Sequence, residues 1–483
     1  MYTILPFNFT PFDDSFLLVN EAGVFTFLEQ KDFEDFIRHN LSENSPVFDN
    51  LESDLFLTTG DVDLAVRKLA ARYRSRKEYL RDFTSLHMMV ITLRCNQRCG
   101  YCQVSSADEE SIKYDMPVET AEKIVDFILS APTDFPKIEF QGGEPTINWP
   151  TIVATVERAE KRSVELGKNV EFVICSNLTS ITEDQLHFCQ EHKIAISTSL
   201  DGPRNIHDKF RRTRFDKGTY DSFFQNLKKA REIVGDRVSA LMTTSAESLN
   251  RLDEVIDEYV RLGMDGIFIR SLNPYGFAVE NARLIDYPMQ DFTEKYLEAL
   301  EYILKLNEQV YFPEYFATLL FTRILTFMPT GFVDLQSPSG VGIAGAIYDF
   351  DGSVFPSDEA RMLARMGDRH FCLGNVNEGT FKDILGGKKL REIISAACVE
   401  TTVPCGWCAY QSYCGTDPVR NYLESGKESR NMAGTPFCIK HKRIFEGLLR
   451  ILRNADDKRK SIIWSWIMNN PGLAGHETGQ RNS

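Results

Sequence analysis

Residues 88–102 read Met-Met-Val-Ile-Thr-Leu-Arg-Cys-Asn-Gln-Arg-Cys-Gly-Tyr-Cys, an apolar run that leads into three closely spaced cysteines. The apolar part, 88–93, predicts a buried strand, and the spacing Cys95-x3-Cys99-x2-Cys102 places all three thiols in the loop that follows. In a parallel α/β sheet such a loop lies at the carboxyl ends of the strands, where ligands bind. Three thiolates suit an iron-sulfur cluster with one iron left open, because 4Fe–4S clusters ordinarily take four cysteines. A zinc site would need a fourth protein ligand, and none is near in the sequence.

Apolar runs alternate with helix-period segments from residue 86 to about residue 275. Continuous apolar strands joined by helices indicate a parallel sheet covered on both faces. Six such units are too few for a closed eight-stranded barrel, so we predict an α/β fold with a partial, open (β/α)6 barrel. The predicted strands are 88–93, 137–141, 170–176, 195–200, 238–244 and 266–272, and the predicted helices include 118–131, 149–166, 220–234 and 249–262.

The predicted barrel domain spans residues 86–285, and other segments flank it on both sides. Residues 1–85 predict a small α+β module, because a strand-turn-strand-helix pattern occupies residues 16–39. The later segments are a helical connector at 286–335, a cysteine-containing domain at 336–450 and a C-terminal tail at 451–483.

The composition indicates a soluble globular chain. Of its 483 residues, 43% are hydrophobic and 26% are charged, and the net charge is −14. This acidic balance disfavours a broad nucleic-acid-binding face, and no apolar run approaches the roughly 18 residues that span a bilayer. We therefore expect a cytoplasmic protein with neither nucleic acid nor membrane as a partner. The basic run between Arg67 and Arg81 is suited either to attracting an acidic peptide or to forming a solvated helix.

The chain holds 11 cysteines, seven of which fall into two groups. Tight spacing in a reducing compartment favours metal or cluster ligation over disulfides. The second group is Cys405-x2-Cys408-x5-Cys414 with Cys438 downstream, and its spacing alone fits either structural zinc or a 4Fe–4S cluster. The isolated cysteines are expected to pack as small hydrophobic residues; they are Cys175, Cys189, Cys372 and Cys398.

The first cysteine group and the segments that follow it resemble the radical S-adenosylmethionine (SAM) enzymes. Tyr101 precedes the third cysteine as the aromatic residue of the family motif does, Gly142-Gly143-Glu144-Pro145 follows the second strand, and Ser199-Leu200-Asp201-Gly202 ends the fourth. The resemblance covers most of residues 86–275. It implies that the open iron of a 4Fe–4S cluster chelates SAM, and that reductive cleavage yields a 5′-deoxyadenosyl radical that takes a hydrogen from the substrate.

The same resemblance implies which residues contact SAM. Gly142 and Gly143 suit a backbone that comes close to a ligand, and Glu144 can accept hydrogen bonds from the SAM amine. Arg211 would pair with the SAM carboxylate. The other implied cofactor-binding residues are Tyr101, Asn177, Ser199 and Asp201. For Asn177 and Ser199, helix or turn capping is the alternative.

The second cysteine group resembles the SPASM extension of peptide-modifying radical SAM enzymes, in which these four positions ligate an auxiliary 4Fe–4S cluster. The family's other auxiliary cluster lacks its ligands here, because Pro418 and Ser357 stand where the family has cysteines and Ser339 replaces an earlier one. Serine is a poor substitute for thiolate on iron. We therefore predict one auxiliary cluster and two clusters in all. Asp358 follows Ser357, where sulfatase-activating members place a proposed general base; a surface Asp is the alternative.

Three further segments resemble a narrower group, the His-Xaa-Ser system maturases of B type. They are Cys99–Ser105, Leu5–Phe7 with Leu17–Asn20, and Arg270–Gly276. This resemblance implies a ribosomally made precursor peptide as substrate, a partner maturase, and an electron donor of the flavodoxin or ferredoxin type. The N-terminal module would grip a leader segment through an exposed strand edge.

Two other functions stay open. A sulfatase-maturating enzyme would form formylglycine on a protein substrate, although the missing auxiliary cysteines disfavour it. A non-catalytic, zinc-stabilised binding module is disfavoured by the three-cysteine site and by Gly142-Gly143-Glu144-Pro145.

Overall fold

The computed structural model describes residues 2–81, 83–331 and 333–476, which form two compact units. Unit 1 combines the described parts of residues 1–81, 319–340 and 394–449. Unit 2 combines those of residues 82–318, 341–393 and 450–483. The N-terminal segment therefore belongs to the same unit as the second cysteine group. The five-segment division made from the sequence stays a prediction.

The N-terminal part of unit 1 has the predicted α+β character. Its central strand lies between two antiparallel neighbours in the order β2-β3-β4, and β1 pairs with β5. The turn before β4 forms because the Asn20 side chain accepts hydrogen bonds from two backbone N–H groups and Gly23 has a φ of +76°. Its elements are β1 (Thr3–Ile4), β2 (Phe7–Phe12), β3 (Ser15–Asn20), β4 (Phe25–Glu29), α1 (Gln30–Ile37), α2 (Pro46–Ser53), β5 (Leu57–Thr58) and α3 (Val62–Arg76).

The middle of the chain alternates strands with helices, as the sequence predicts. Its strands are β6 (Leu86–Thr92), β7 (Lys137–Gly142), β8 (Glu171–Cys175), β9 (Ala195–Ser199) and β10 (Val238–Leu241). Its helices are α4 (Val118–Leu129), α5 (Trp149–Leu166), α6 (Glu183–Glu191), α7 (Arg204–Phe210), α8 (Tyr220–Val234), α9 (Ala246–Leu249), α10 (Leu252–Arg261), α11 (Phe277–Glu280), α12 (Ala282–Ile285), α13 (Met289–Leu306) and α14 (Tyr315–Leu325).

The last part of the chain adds three short strands and six helices. They are β11 (Gly345–Tyr348), β12 (Ser353–Phe355), α15 (Asp358–Arg365), β13 (Gly374–Asn375), α16 (Phe381–Ile384), α17 (Lys388–Ala396), α18 (Pro418–Ser425), α19 (Pro436–Asn454) and α20 (Asp457–Ile467). Helix α20 buries Ile462 and Trp466.

Unit 2 is built on one eight-stranded sheet in the order β10-β9-β8-β7-β6-β11-β12-β13. Strands β6 to β10 run parallel, β11 joins them parallel to β6, and β12 and β13 are antiparallel. Such a sheet agrees with the predicted partial barrel. The sixth parallel strand is therefore Gly345–Tyr348, far along the chain from the segment where the sequence predicts it.

The prediction of a strand at 266–272 is wrong. This segment contains an isolated bridge from Ile267 to Glu314 and no regular strand. Its backbone bonds to the turn before α14, with Ile267 N donating to Pro313 O at 3.0 Å and Tyr315 N donating to Ile267 O at 2.7 Å. An apolar run shows that a segment is buried, but the partner that its backbone finds depends on tertiary contacts.

The parallel strands present two different faces. Residues such as Ile138, Phe140 and Ile174 are fully buried and form the core on one face. The alternate residues are half-exposed, among them Glu139, Gln141 and Cys175. Because strand side chains alternate, these polar residues share the open face of the sheet. Among the described residues, none of the helices has the length and apolar composition that a bilayer crossing needs.

Candidate active site

The loop after β6 carries the first cysteine group. Its backbone is fixed by Cys95 N donating to Ala107 O at 3.1 Å and Cys102 N donating to Cys99 O at 3.1 Å. Arg214 adds a second support, because its Nε donates to Cys95 O at 2.8 Å. These hydrogen bonds hold all three thiols on one short stretch at the carboxyl end of the sheet.

The three thiols lie within electrostatic reach of one another. Burial raises the pKa of Cys95 well above its ordinary value, and the Cys99 thiolate, Glu144 and Cys102 raise it further. Burial also raises the pKa of Cys99 to about 12, although Arg211 opposes the shift. With raised pKa values, Cys95 and Cys99 keep their protons until a metal displaces them.

The described residues contain no group of three or more His, Cys, Asp or Glu side chains that converges on a single ion. A 4Fe–4S cluster has a different requirement, because each thiolate binds a different iron. The mutual electrostatic coupling of the three cysteines on one loop suits that wider arrangement.

A buried network stands beside this loop and has Asp201 at its centre. Tyr101 Oη donates to Asp201 Oδ2, and Arg211 donates through Nε to Oδ2 at 2.9 Å and through Nη2 to Oδ1 at 3.3 Å. Thr243 N donates to Oδ1 at 3.1 Å. Burial alone would lower the pKa of Arg211, but Asp201 and then Tyr101 raise it. Arg211, predicted from the resemblance to pair with SAM, thus pairs with Asp201 in this structure.

Glu144 joins the ends of β7 and β8. Its Oε1 accepts hydrogen bonds from Thr146 Oγ1 at 2.6 Å and Ser176 Oγ at 2.8 Å, and its Oε2 accepts one from Asn177 N at 2.8 Å. The side chain is 1% exposed, and burial raises its pKa. Glu144 therefore organises the strand ends, and its contact with the SAM amine stays a prediction.

Gly142 and Gly143 are required by packing against β6. A Cβ on Gly142 would lie 2.0 Å from Thr92 O, and one on Gly143 would lie 2.3 Å from Arg94 O. Both oxygens are backbone atoms of the segment that leads into the cysteine loop, so no side chain fits. From the sequence, these glycines were expected to let the backbone come close to a ligand. In the structure they let the end of β7 come close to the backbone of residues 92–94.

Asn177 and Ser199 lie at the ends of their strands. Asn177 Nδ2 donates to Asn96 Oδ1 at 2.9 Å and lies 3.9 Å from Cys95 Sγ, so this side chain touches the cysteine loop. Its Oδ1 accepts from Thr179 N at 2.9 Å, which is the turn-capping alternative. Ser199 is the last residue of β9 and is half-exposed.

Glu139 and Cys175 lie on the open face of the sheet, and neither was predicted from the sequence to be a site residue. Cys175 Sγ donates to Glu139 Oε1 at 3.3 Å, and burial, Glu139 and Asp358 together raise the pKa of Cys175. The expectation that Cys175 packs as a small hydrophobic residue is wrong, whereas Cys189 is fully buried as predicted. The sequence pattern could have indicated this, because polar residues at alternate positions of otherwise apolar parallel strands point to the same face of the sheet.

Asp358 begins α15, whose N-cap is Ser357. Its Oδ1 accepts from Arg361 Nε at 3.2 Å and Nη2 at 3.1 Å, and Arg361 is fully buried. The effect of Asp358 on the pKa of Cys175 places the carboxylate near the open face of the sheet. This position differs from that of a solvated surface Asp.

The second cysteine group lies within unit 1. Cys408 N donates to Cys405 O at 3.0 Å, Cys414 N donates to Tyr410 O at 3.1 Å, and Cys438 lies in the first turn of α19. Burial raises the pKa of Cys414 to about 12, and each of the other three thiols adds to the shift. Four mutually coupled thiols form a complete ligand set for one cluster.

The positions that lack cysteines have structural roles of their own. Pro418 is the first residue of α18, capped by Asp417. Ser357 Oγ accepts from Ala360 N at 3.3 Å, and Ser339 N donates to Ala397 O at 2.9 Å. Cys372 is half-buried, with Arg369 Nη2 at 3.4 Å from its Sγ.

A model of the radical SAM superfamily matches residues 89–259. This part of the chain is a radical SAM domain. The match covers most of β6, the parallel strands β7 to β10, the cysteine loop and all four residues of the Asp201 network.

Curated relatives of the chain include maturating enzymes. A cysteine-type anaerobic sulfatase-maturating enzyme of Clostridium novyi (strain NT) is 23% identical over 391 residues, which are 75% of this chain and 95% of the relative. The radical SAM cyclopropyl synthase TigE of Paramaledivibacter caminithermalis is 25% identical over 233 residues, 44% of this chain and 46% of the relative.

Solved structures share the fold. The anSMEcpe structure with bound AdoMet and Cp18Cys peptide has a TM-score of 0.61 at 21% identity and covers 77% of this chain and 99% of its own. The Streptococcus suis SuiB structure bound to the precursor peptide SuiA has a TM-score of 0.52 at 13% identity and covers 89% of this chain and 98% of its own.

SAM and a 4Fe–4S cluster are the cofactors of this enzyme class, and the chain also has the cysteines for an auxiliary cluster. Three coupled thiols on the loop after β6, with no fourth ligand at hand in that loop, fit a cluster that keeps one iron open. The four coupled thiols of unit 1 fit a fully ligated cluster.

Proposed function

We propose that the protein is a peptide maturase that oxidises or cross-links a ribosomally made precursor peptide. One observation carries the choice of substrate class: the fold likeness to SuiB spans 89% of this chain, against 77% for anSMEcpe. Parts of this fold that lie outside the sulfatase-maturase match are therefore shared with SuiB, whose structure holds a precursor peptide.

The N-terminal sheet supports a leader-binding role for unit 1. Its outer strands β2 and β4 each pair with β3, and no other strand of the described chain covers their free edges. An extended peptide can add to such an edge, because the edge offers unpaired backbone N–H and C=O groups.

When bound, SAM and the open cluster supply a radical that takes hydrogen from an unactivated carbon. The chain's own residues arrange the surroundings. Asp201 fixes Arg211 and Tyr101 beside the cysteine loop, and Glu144 fixes the ends of β7 and β8. Rigid positioning of this kind keeps the substrate carbon within reach.

Asp358 is proposed to accept the proton that the substrate loses as it is oxidised. Arg361 holds Oδ1 through two hydrogen bonds, and among the described residues no donor contacts Oδ2. Oδ2 is thus the atom that takes the proton. We expect Asp358→Asn to keep substrate-independent SAM cleavage and to lose peptide modification, while Glu359→Gln, one residue along α15, keeps both.

The deciding experiment co-expresses the protein, without oxygen, with any short peptide found to be encoded beside its gene and measures the intact mass of that peptide. We expect a loss of two hydrogen atoms with the wild-type protein and no change with Cys99→Ala. Unmodified peptide in both cases would contradict the proposal, provided that reduced wild-type protein still cleaves SAM to 5′-deoxyadenosine.

Formylglycine formation is the second candidate, favoured by the sulfatase-maturating relative that aligns with 75% of this chain. Conversion of a peptide carrying a sulfatase Cys or Ser would establish it. A flavodoxin- or ferredoxin-type donor, a partner maturase, His-Xaa-Ser repeats in the substrate and a cytoplasmic location belong to the proposed peptide-maturase role.

A further inference from the structure

Unit 1 contains a group of three partly buried cations, Arg76, Lys77 and Arg323, with the carboxylates of Glu400 and Glu21 near Lys77. At the end of α3, Lys77 Nζ lies 2.7 Å from Glu400 Oε1, which makes one ordinary ion pair. Tyr73 Oη also donates to that carboxylate oxygen, at 3.2 Å. Two arginines are close to this pair. Burial lowers the pKa of Lys77, and the charge of Arg323 lowers it further. Burial likewise lowers the pKa of Arg323, and the charge of Arg76 adds to that shift.

The two guanidinium groups bind backbone oxygens. Arg76 donates through Nε to Ala22 O at 2.8 Å and through Nη1 to Arg323 O at 2.6 Å. Arg323 donates through Nε to Tyr413 O at 3.0 Å. Neither guanidinium has an ion-pair partner in the part of the chain that the structure describes. Burial lowers the pKa of both groups, that of Arg323 to about 10, so each charge is held in an unfavourable environment.

An anionic group is expected near these arginines, and the second cysteine group lies beside them. Tyr413, which accepts the Arg323 hydrogen bond, is the residue before Cys414. The Cys414 thiolate raises the pKa of Arg323, which places the two charges within electrostatic reach. Arg76 also lies 5.7 Å from the centre of the Tyr413 ring. Both arginines thus surround the segment that leads into a cluster ligand.

We propose that Arg323, supported by Arg76, is a positioning residue that balances the charge of the auxiliary cluster and raises its reduction potential. A 4Fe–4S cluster with four thiolates is anionic and gains one further negative charge on reduction. A nearby cation with few water molecules around it stabilises the reduced form more than the oxidised form. The inference rests on the auxiliary cluster of the proposed function, and it does not depend on the peptide substrate.

The test measures the potential of this cluster alone. The full chain carrying Cys95→Ala, Cys99→Ala and Cys102→Ala is reconstituted with iron and sulfide, and its redox titration is followed by electron paramagnetic resonance. We expect Arg323→Gln to lower the ratio of reduced to oxidised cluster about tenfold at a given ambient potential, a shift of about 59 mV for one electron. Arg323→Lys, which keeps the charge, should restore most of the shift.

Arg74→Gln is the matched control, because Arg74 is an exposed arginine of the same helix α3. It should leave the potential unchanged. An Arg323→Gln potential equal to that of the parent overturns the inference. If Arg323→Gln fails to assemble the cluster, Arg76→Gln decides the question: a lowered potential supports the inference and an unchanged one overturns it.

Absence of a cluster from the parent triple variant also overturns the inference. The reduction potential could change with the charge at position 323 even though the wild-type enzyme modifies no peptide. That result would contradict the proposed function and leave this inference standing. The two failures are therefore distinguishable.

Discussion

Asp201 shows how one buried carboxylate organises the candidate active site. It receives hydrogen bonds from the side chains of Tyr101 and Arg211 and from Thr243 N, and its side chain is 3% exposed. Arg211 is also nearly buried, at 10%. Removing one member of such a pair leaves an unbalanced buried charge.

We predict that Asp201→Asn lowers the free energy of unfolding by about 3 kcal/mol and weakens SAM binding, because Arg211 and Tyr101 lose their common anchor. Asp221→Asn is the control, since the Asp221–Arg204 pair is exposed and such pairs contribute about 0–1 kcal/mol. Anaerobic denaturant titration and equilibrium SAM binding check both variants. Equal effects of the two substitutions would rule out the central role of Asp201.

At the scale of elements, the end of β7 sets the position of the cysteine loop. Gly143 N donates to Thr92 O at 2.9 Å and Glu144 N donates to Arg94 O at 2.8 Å. The backbone of β7 therefore lies directly against the segment that leads from β6 to Cys95, which explains why two successive glycines stand there.

We expect Gly143→Ala to push this segment away from β7, because the new Cβ would lie 2.3 Å from Arg94 O. The iron content should fall by about four atoms per chain, one 4Fe–4S cluster, and SAM cleavage should be lost. Gly60→Ala provides the comparison, since its Cβ would meet only Thr58 Oγ1, at 3.9 Å. Full iron occupancy in Gly143→Ala would show that the loop tolerates the displacement.

The segment 266–272 owes its position to a buried glutamate. Glu314 Oε1 accepts from Ile269 N at 2.9 Å, and Oε2 accepts from Tyr296 Oη at 2.6 Å. Burial raises the pKa of Glu314 to about 7, although these hydrogen bonds oppose the shift.

Stability should therefore depend on pH through Glu314. Its folded-state pKa lies above the ordinary value of 4.5, so the folded state holds the proton more tightly than the unfolded state between these values. We predict that the contribution of Glu314 to stability falls by up to about 3 kcal/mol as the pH rises from about 4.5 to about 7.

Glu314→Gln should remove this part of the pH dependence, and Glu298→Gln, an exposed position on α13, should retain it. Denaturation midpoints at several pH values, followed by tryptophan fluorescence, give the comparison. Parallel pH profiles for wild type and Glu314→Gln would contradict the assignment.

At the scale of the whole molecule, the number of clusters follows from which cysteines are present. The two complete groups predict about eight iron atoms per chain, and Cys438→Ala should reduce this to about four without affecting SAM cleavage. Cys189→Ala, at a buried core cysteine, should leave the iron content unchanged. About twelve iron atoms per chain would establish a third cluster and refute the two-cluster prediction.

Much of unit 2 was predictable because each parallel strand is a short apolar run bounded by a helix of regular period. Helices α5 and α8 have the predicted bounds, 149–166 and 220–234. The sixth parallel strand was not predictable, because β11 pairs with β6 across more than 250 residues of chain. The basic run is divided: Arg67, Lys68 and Arg74 are exposed on α3, as the solvated-helix alternative expects, whereas Arg76 and Lys77 bond to other parts of unit 1.

The sequence by itself determined the chemistry of this enzyme. Cysteine spacing, the Gly142-Gly143-Glu144-Pro145 segment and strand-helix alternation are local features, and local chain geometry is enough to place three thiols at the end of a strand. Only the tertiary structure decided which charges meet. Asp201 with Arg211, Glu139 with Cys175, and Arg323 beside Cys414 are pairings across elements. Burial makes these pairings strong, and burial is a property of the folded chain that no single stretch of sequence encodes.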